Sequence, residues 1–333
     1  MISYTGLCAI KNSMGTKIIS LPSCGRNIRS EKGGRIVGGR EVHKHSIPWQ
    51  VGLVKRKGEP PSCGGMIITH KVVLTAAHCV DLNHLERLCE DTGTCYDQPM
   101  YVASKEHNFK EPTGQYHKIC HFRSHPLWDP ITFENDFALL YLKDAHKIDF
   151  CDGRANCIAL PKSYMKDMSM RGYPLRVSGW GLREGGRTAA GTGLRAVLLR
   201  GMDNQRCHQK LTQQKNIEIT RKMLCAKSRG ADSCQGDSGG NEILPNLYCM
   251  NIYYIMWYDI TDYIVRPFYL GPLTYTTGGH YGRPKRTYAI GVVSFGAVDQ
   301  TMCGKTNYPG VYAKVAGVLR WIKHNMHKQY NCP

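Results

Sequence analysis

The chain has 333 residues, 42% of them hydrophobic and 21% charged, a balance that excludes a disordered polypeptide and allows one large core or two smaller ones. Its 15 cysteines include no Cys-x-x-Cys pair, which argues against zinc sites and for disulfides formed in an oxidising compartment, with one thiol left over by the odd count. The formal charge of +18 admits nucleic acid, heparin-like polymers or anionic membranes as partners, but the basic residues are scattered with no long Lys/Arg run among aromatics, so the pattern favours a solvated basic surface and no nucleic-acid partner.

Residues 1–35 are polar, rich in glycine and basic at their end, and read as an extension outside the main domain. The opening "MISYTGLCAIKNSMGTKIISLPSCG" lacks the apolar core of about 7–15 residues that a secretory leader carries. Either the natural start lies upstream or export follows another route. Short runs then dominate: "WQVGLV", "MIITHKVVLTAA", "FALLYL", "LRVSGWG", "YAIGVVSFG" and "GVYAKV". They are rich in Val, Ile, Leu and Tyr and are separated by Gly, Pro and Asn, which predicts an all-β protein of many short strands. Near the end, Val315, Val318, Leu319, Ile322 and Met326 recur at helical spacing and predict a terminal amphipathic helix. The best candidate for a membrane span follows Gly240, but Asp259, Asp262 and Arg266 interrupt it, so no span is expected.

Three short motifs carry chemistry. "TAAHC" puts His78 just after an apolar strand, "NDFALL" puts Asp136 at the mouth of another, and "GDSGG" puts Ser238 between glycines. Each alone is more often structural. Together they supply what acyl transfer needs. A serine hydroxyl is a poor nucleophile until a base takes its proton. Histidine titrates near neutrality and suits that task. A buried carboxylate fixes the imidazole tautomer and stabilises its protonated form. Glycines let the backbone N–H groups of Gly236 and Ser238 turn towards a developing oxyanion.

From Ile36 to about Lys328 the sequence closely resembles the trypsin/chymotrypsin-like serine peptidases. The resemblance includes "RIVGG", "PWQVGL", "TAAHC", "ENDFALLYL", "VSGWG", "DSCQGDSGG", "GVVSFG" and "PGVYAKV", all in the family's order, and the order His, Asp, Ser is that of the chymotrypsin group. It implies two six-stranded antiparallel β-barrels with a C-terminal α-helix and the triad His78, Asp136 and Ser238 between the barrels. It further implies an activation segment at 1–35, a peptidase domain at 36–333, and barrels at about 36–160 and 161–333. Cleavage after Arg35 would free the Ile36 amine to pair with Asp237; a buried ammonium is tolerable only beside such a charged partner. Asp232 matches the residue at the base of a pocket for Arg or Lys side chains. Gly296 and Gly310 match the glycines of the pocket wall, and Ser294 matches the residue that supports the catalytic aspartate. Phe295 replaces the tryptophan more usual there.

The resemblance also pairs Cys63 with Cys79, Cys207 with Cys225, and Cys234 with Cys303. A further family disulfide is absent at both ends, where Leu175 and Tyr275 stand. Cys24 is expected to tie the extension to Cys151 or Cys157, and Cys89 and Cys95 to close a local loop; Cys8, Cys120 and Cys332 have no assigned partner. Glu106 and Glu111 lie in a segment like the calcium loop of some relatives, but its closing glutamate is not evident, so no cofactor is expected, with calcium in this loop as the alternative.

The family continues "GDSGG" directly with "PL". Here Asn241 to Gly271 intervene before Pro272 and Leu273, and removing them restores "GDSGGPLTYTTGG" and, with Cys249 gone, an even cysteine count. The inserted run is apolar, rich in Ile, Tyr, Asn, Phe and Met, and poor in Gly and Ser for a loop of that length. It reads as a retained intron translated in frame, the alternative being a genuine surface loop. The sequence thus predicts a secreted, trypsin-like serine endopeptidase made as a zymogen. Its partners would be protein or peptide substrates cut after Arg or Lys, an activating protease and protease inhibitors. The alternatives are a non-catalytic homologue that binds or regulates, an isoform silenced by the insertion, and a basic heparin-binding module.

Overall fold

The computed structural model describes residues 7–12, 15–20, 23–26, 40–80, 101–180, 193–212, 218–227, 270–277, 285–295, 309–328 and 330. Two strands of the N-terminal extension, β1 (Leu7–Asn12) and β2 (Gly15–Ser20), pair antiparallel. β3 (Arg40–Glu41) follows. The first barrel comprises β4 (Gln50–Val54), β5 (Cys63–Ile67), β6 (Val72–Thr75), β7 (Tyr101–Ser104), β8 (Gln115–Ser124) and β9 (Ala138–Leu142). It is closed in the order β4-β5-β6-β9-β8-β7. The second comprises β10 (Pro174–Gly179), β11 (Arg195–Met202), β12 (Met223–Lys227), β13 (Leu270–Thr277), β14 (Arg286–Phe295) and β15 (Gly310–Lys314). Its order is β10-β13-β14-β15-β12-β11; pairing of β10 with β11 closes it, and β3 adds to the outside of β11.

Closure removes sheet edges, and each interior is filled by side chains. Val51, Leu53, Met66, Leu74 and Leu140 fill the first barrel, and Leu175, Leu199, Leu273 and Ile290 the second. Strands β4, β5, β6 and β9 are buried at every position, so they read as continuous apolar runs. Where a strand has an open face the alternation returns, as in β11. The run "MIITHKVVLTAA" is a hairpin, because Thr69 to Lys71 reverse the chain between β5 and β6.

The terminal helix forms as expected. A 3₁₀ turn at Val315–Val318 leads into α2 (Leu319–Asn325), and all five residues of the helical stripe are buried. A second helix, α1 (Asn204–Thr212), was not evident in the sequence. Its start is set by Asp203, whose carboxylate accepts from the backbone N–H groups of Gln205 and Arg206 at 3.0 and 3.3 Å. Among its described side chains only Cys207 and Leu211 are buried, too few for the apolar period to show.

Two features bind the parts together. At the seam between barrels, Ser178 Oγ donates to Gln50 Oε1 at 2.7 Å. Gly271 lies so close to that glutamine that a Cβ would sit 2.2 Å from Gln50 Nε2. The second is the docking of Ser23 to Arg26. Cys24 is disulfide-bonded to Cys157, one of the two partners expected for it. Gly25 donates to Cys157 O at 2.8 Å and accepts from Thr287 N at 2.7 Å, and Asn156 Nδ2 donates to Arg26 O at 3.2 Å. At Gly25 φ is +79° and an added Cβ would meet Thr287 O at 2.3 Å, so only glycine fits. This part of the extension is therefore fixed to the body of the protein.

Candidate active site

The antiparallel pairing of β6 with β9 sets Thr75 opposite Ala138. Three residues beyond Thr75 is His78, and two before Ala138 is Asp136, so the register carries both side chains to the same barrel end. His78 sits in a 3₁₀ turn, Ala77–Cys79. That turn is held by the Cys63–Cys79 disulfide and by Val80 N donating to Ala77 O at 2.9 Å.

Asp136 has no solvent exposure. Its Oδ1 accepts from the backbone N–H of His78 at 3.0 Å, and its Oδ2 lies 2.7 Å from His78 Nδ1 and accepts from Ser294 Oγ at 2.6 Å. Ser294 comes from β14, so the carboxylate is gripped by both barrels. An ionised carboxylate only accepts, so Nδ1 must carry the proton and Nε2 is left as the ring's lone-pair nitrogen. The imidazole is 18% exposed. Its burial pushes its pKa down, but the charge of Asp136 and the hydrogen bond to it outweigh that, and the pKa is raised. The ring is thus a base in a fixed tautomer, ready to become an ion pair.

An aromatic wall flanks the imidazole. Phe133 lies edge-on to His78, with centroids 6.4 Å apart, and packs on Phe295 at 5.4 Å and Trp128 at 5.7 Å. Phe295 was singled out in the sequence as replacing a tryptophan; Phe133 and Trp128 were not. Phe133 is held at φ +58° and the neighbouring Asn135 at +55°, where an asparagine is tolerated and a phenylalanine is uncommon. The only signal for them was the aromatics of "LWDPITFEND" before Asp136.

Gly310 opens β15 opposite Ala226. Cys207 and Cys225 are joined. Leu175 is buried in the core of the second barrel and Tyr275 packs against the same cluster, which places apolar contact where the relatives' disulfide is missing. Cys120 and Cys151 are each in a disulfide. Arg35, Ile36, Asp232, Cys234, Gly236, Asp237, Ser238, Gly296 and Cys303 lie outside the described residues, as do Cys89 and Cys95.

The calcium-like segment is organised by its own backbone. Glu106 is buried, and its carboxylate accepts from the N–H groups of His107, Asn108, Thr113 and Gly114 at 2.9–3.3 Å. Those donors present positive dipole ends to both oxygens, which is what a hard cation would otherwise do. Glu111 is exposed.

Paired six-stranded antiparallel barrels with an aspartate-anchored histidine at their seam define the chymotrypsin-like class of hydrolase folds. Comparison with known sequences narrows this. The Trypsin family model matches residues 36–253, so the chain belongs to the trypsin family of serine peptidases. It is 30% identical to Trypsin 5G1 of Aedes aegypti over 87% of this chain and 84% of that protein. It is 29% identical to Melanization protease 1 of Drosophila melanogaster over 94% and 70%, and 30% identical to Proclotting enzyme of Tachypleus tridentatus over 88% and 66%. Among the described residues no helix is long and apolar enough to cross a membrane.

Proposed function

We propose that this protein is a secreted serine endopeptidase that cleaves after Arg or Lys once its own chain is cut between Arg35 and Ile36. The observation that carries the reading is the buried Asp136 carboxylate, held from both barrels and bonded to His78 Nδ1 at 2.7 Å. In this reading His78 Nε2 takes the proton of Ser238 Oγ as that oxygen adds to the substrate carbonyl. The Gly236 and Ser238 N–H groups receive the oxyanion. The imidazolium then returns the proton to the departing amine, and water repeats the sequence to free the acid. Asp232 receives the substrate's cationic side chain between Gly296 and Gly310. The freed Ile36 amine pairs with Asp237 and orders the oxyanion donors. Names such as Melanization protease 1 and Proclotting enzyme support a place among proteases switched on by other proteases, with inhibitors as further partners.

The test is hydrolysis of Arg-, Lys- and Phe-containing chromogenic peptides after cleavage at Arg35, with Ser238 titrated by an irreversible serine-reactive inhibitor. Turnover of the Arg and Lys peptides alone is expected. Preference for Phe would overturn the specificity, and cleaved, folded protein that neither labels nor turns over would support the second reading. That reading, a silent homologue, is favoured by one observation: Asn241 to Gly271 enter the chain directly after the residues that must hold the nucleophile.

A further inference from the structure

Given the proposed roles of His78 and Asp136, on which this rests, we propose that the ion pair between Glu134 and Lys222 is a positioning device for the base. It clamps the loop that leads into Asp136 onto the second barrel and so holds the Phe133 ring against His78. Glu134 Oε2 lies 2.6 Å from Lys222 Nζ, a contact between residues 88 positions apart and on different barrels. Glu134 is two residues before Asp136 and next to Phe133, whose ring flanks the imidazole with centroids 6.4 Å apart.

The loop makes its own shape. His125 N donates to Phe137 O at 2.8 Å across its base, and Asp129 N donates to Glu134 O at 3.1 Å. Asn135 Nδ2 donates to Leu127 O at 2.7 Å, and the Asp129 carboxylate accepts from Ile131 N and Thr132 Oγ1 at 2.9 and 2.7 Å. All of these bonds lie inside the loop, so none fixes where it stands. Its place against the second barrel rests on Ser294 beneath Asp136, Phe295 against Phe133, and Lys222 on Glu134. Glu134 sits between two left-handed residues, Phe133 at φ +58° and Asn135 at +55°. A phenylalanine persists there only where its surroundings over-determine it, so release of Glu134 lets Phe133 relax away from the imidazole.

Lys222 is firmly mounted. Its carbonyl accepts from Lys314 N at 2.8 Å, which extends the pairing of β12 with β15, and its own N–H donates to Thr220 Oγ1 at 3.3 Å. Thr220 O in turn accepts from Asn204 Nδ2 at the start of α1, at 2.9 Å. The hydrogen bond from Lys222, with another from Thr220, holds the Glu134 carboxyl below the usual carboxylate range, so the pair stays charged at neutral pH. Both side chains are partly exposed, and an ion pair of that kind adds little to global stability. Its effect falls on geometry instead. His78 and Asp136 come from the first barrel and, in the proposed function, Ser238 from the second, so the seating of one barrel on the other sets the distance from base to nucleophile.

The experiment compares the full chain, cleaved at Arg35, with the variants Glu134→Gln and Lys222→Met and with the charge-swapped double variant Glu134→Lys, Lys222→Glu. 4-Fluorophenylalanine incorporated in place of Phe133 reports the surroundings of that ring by its fluorine NMR shift and needs no turnover. Each single variant should move the resonance, and the swap should return it. In protein titrated at Ser238, kcat for an Arg peptide should fall about tenfold in each single variant, part of the ~100-fold that a drift of ~1 Å costs, and the swap should recover most of it. Melting temperatures should stay within about 2 °C of the wild type, as loss of a partly exposed pair predicts. Arg56→Gln, which removes the exposed Arg56–Glu59 contact of the first barrel, should change neither signal. An unmoved resonance in both single variants overturns the proposal whether or not the chain turns over substrate. So does a swap that fails to restore it, or a loss of activity matched by a fall in melting temperature. A folded but silent protein whose resonance moves and returns as expected supports the clamp and counts against the proposed activity alone.

Discussion

At the scale of single residues, the Asp136 carboxylate decides most. With both barrels donating to it, it holds His78 in one tautomer and makes the protonated ring more favourable. Because the pKa of His78 is raised, the ring becomes a free base only above the ordinary histidine range. The acid limb of kcat/KM should therefore lie above pH ~6.5. The same pairing stabilises the fold most below that pH and is lost as pH rises through the raised value. Asp136→Asn should lower kcat by about 10⁴-fold, since an amide can leave the imidazole in the wrong tautomer. An acid limb at or below the ordinary value in the unmutated enzyme would refute this account of the base. His117 behaves oppositely. It is buried, its Nδ1 meets His146 O at 2.6 Å and its Nε2 meets Ser104 Oγ at 2.7 Å. Burial lowers its pKa to about 4, so the folded state binds the proton less readily than the unfolded chain. Stability should fall as pH drops from ~6.5 to ~4, by up to about 3 kcal/mol from this group. Urea midpoints measured across that window should change less in His117→Gln than in the wild type.

At the scale of elements, two segments acquire definite behaviour. Residues 23–26 are tied to the body by Cys24–Cys157 and by hydrogen bonds to Cys157, Thr287 and Asn156. Cleavage at Arg35 should give a two-chain protein that runs as one band without reductant and as two with it. Release of the small fragment under non-reducing conditions would show that this bridge does not form. The loop from Glu106 to Gly114 is closed by four N–H groups on one buried carboxylate. Chelation with EDTA should leave the melting temperature and peptide hydrolysis unchanged, and Glu106→Gln should lower the melting temperature with or without calcium. A calcium-dependent rise in melting temperature that Glu106→Gln abolishes would put a cation there after all.

At the scale of the whole molecule, the second barrel draws only Leu270 and Gly271, the first two residues of β13, from the inserted run among the described residues. All six of its strands come from described residues, and β13 begins at Leu270, pairing with Gly179 of β10 and, through Pro272, with Val292 of β14. Residues 241–269 lie outside the described residues. The run starts just beyond Ser238, where a drift of ~1 Å costs catalysis heavily. Deleting Asn241 to Gly271 places Gly240 before Pro272 and should give a soluble, activatable enzyme. The full chain should be poorly soluble or nearly inactive. Equal turnover of an Arg peptide per titrated serine in both proteins would mean the run is a tolerated loop.

The sequence alone determined the strand-rich class, the terminal helix and the pairing of His78 with Asp136, because apolar period and local motif chemistry are written in neighbouring positions, while its expectation for Ser238 falls outside the described residues. Its family resemblance extended that to the paired barrels and to Ser294 beneath the aspartate. Other features were settled only by the tertiary structure, since they depend on what meets across long separations. Helix α1 buries too few residues to show a period. Phe133 matters because β14 brings Phe295 against it, and Glu106 because its own loop folds back on its carboxylate. The basic residues near the C-terminus read as scattered in the chain. The turn of α2 and the nearby end of β8 gather them onto one face, because helical geometry aligns positions three and four apart and barrel closure carries Arg123 to Tyr330.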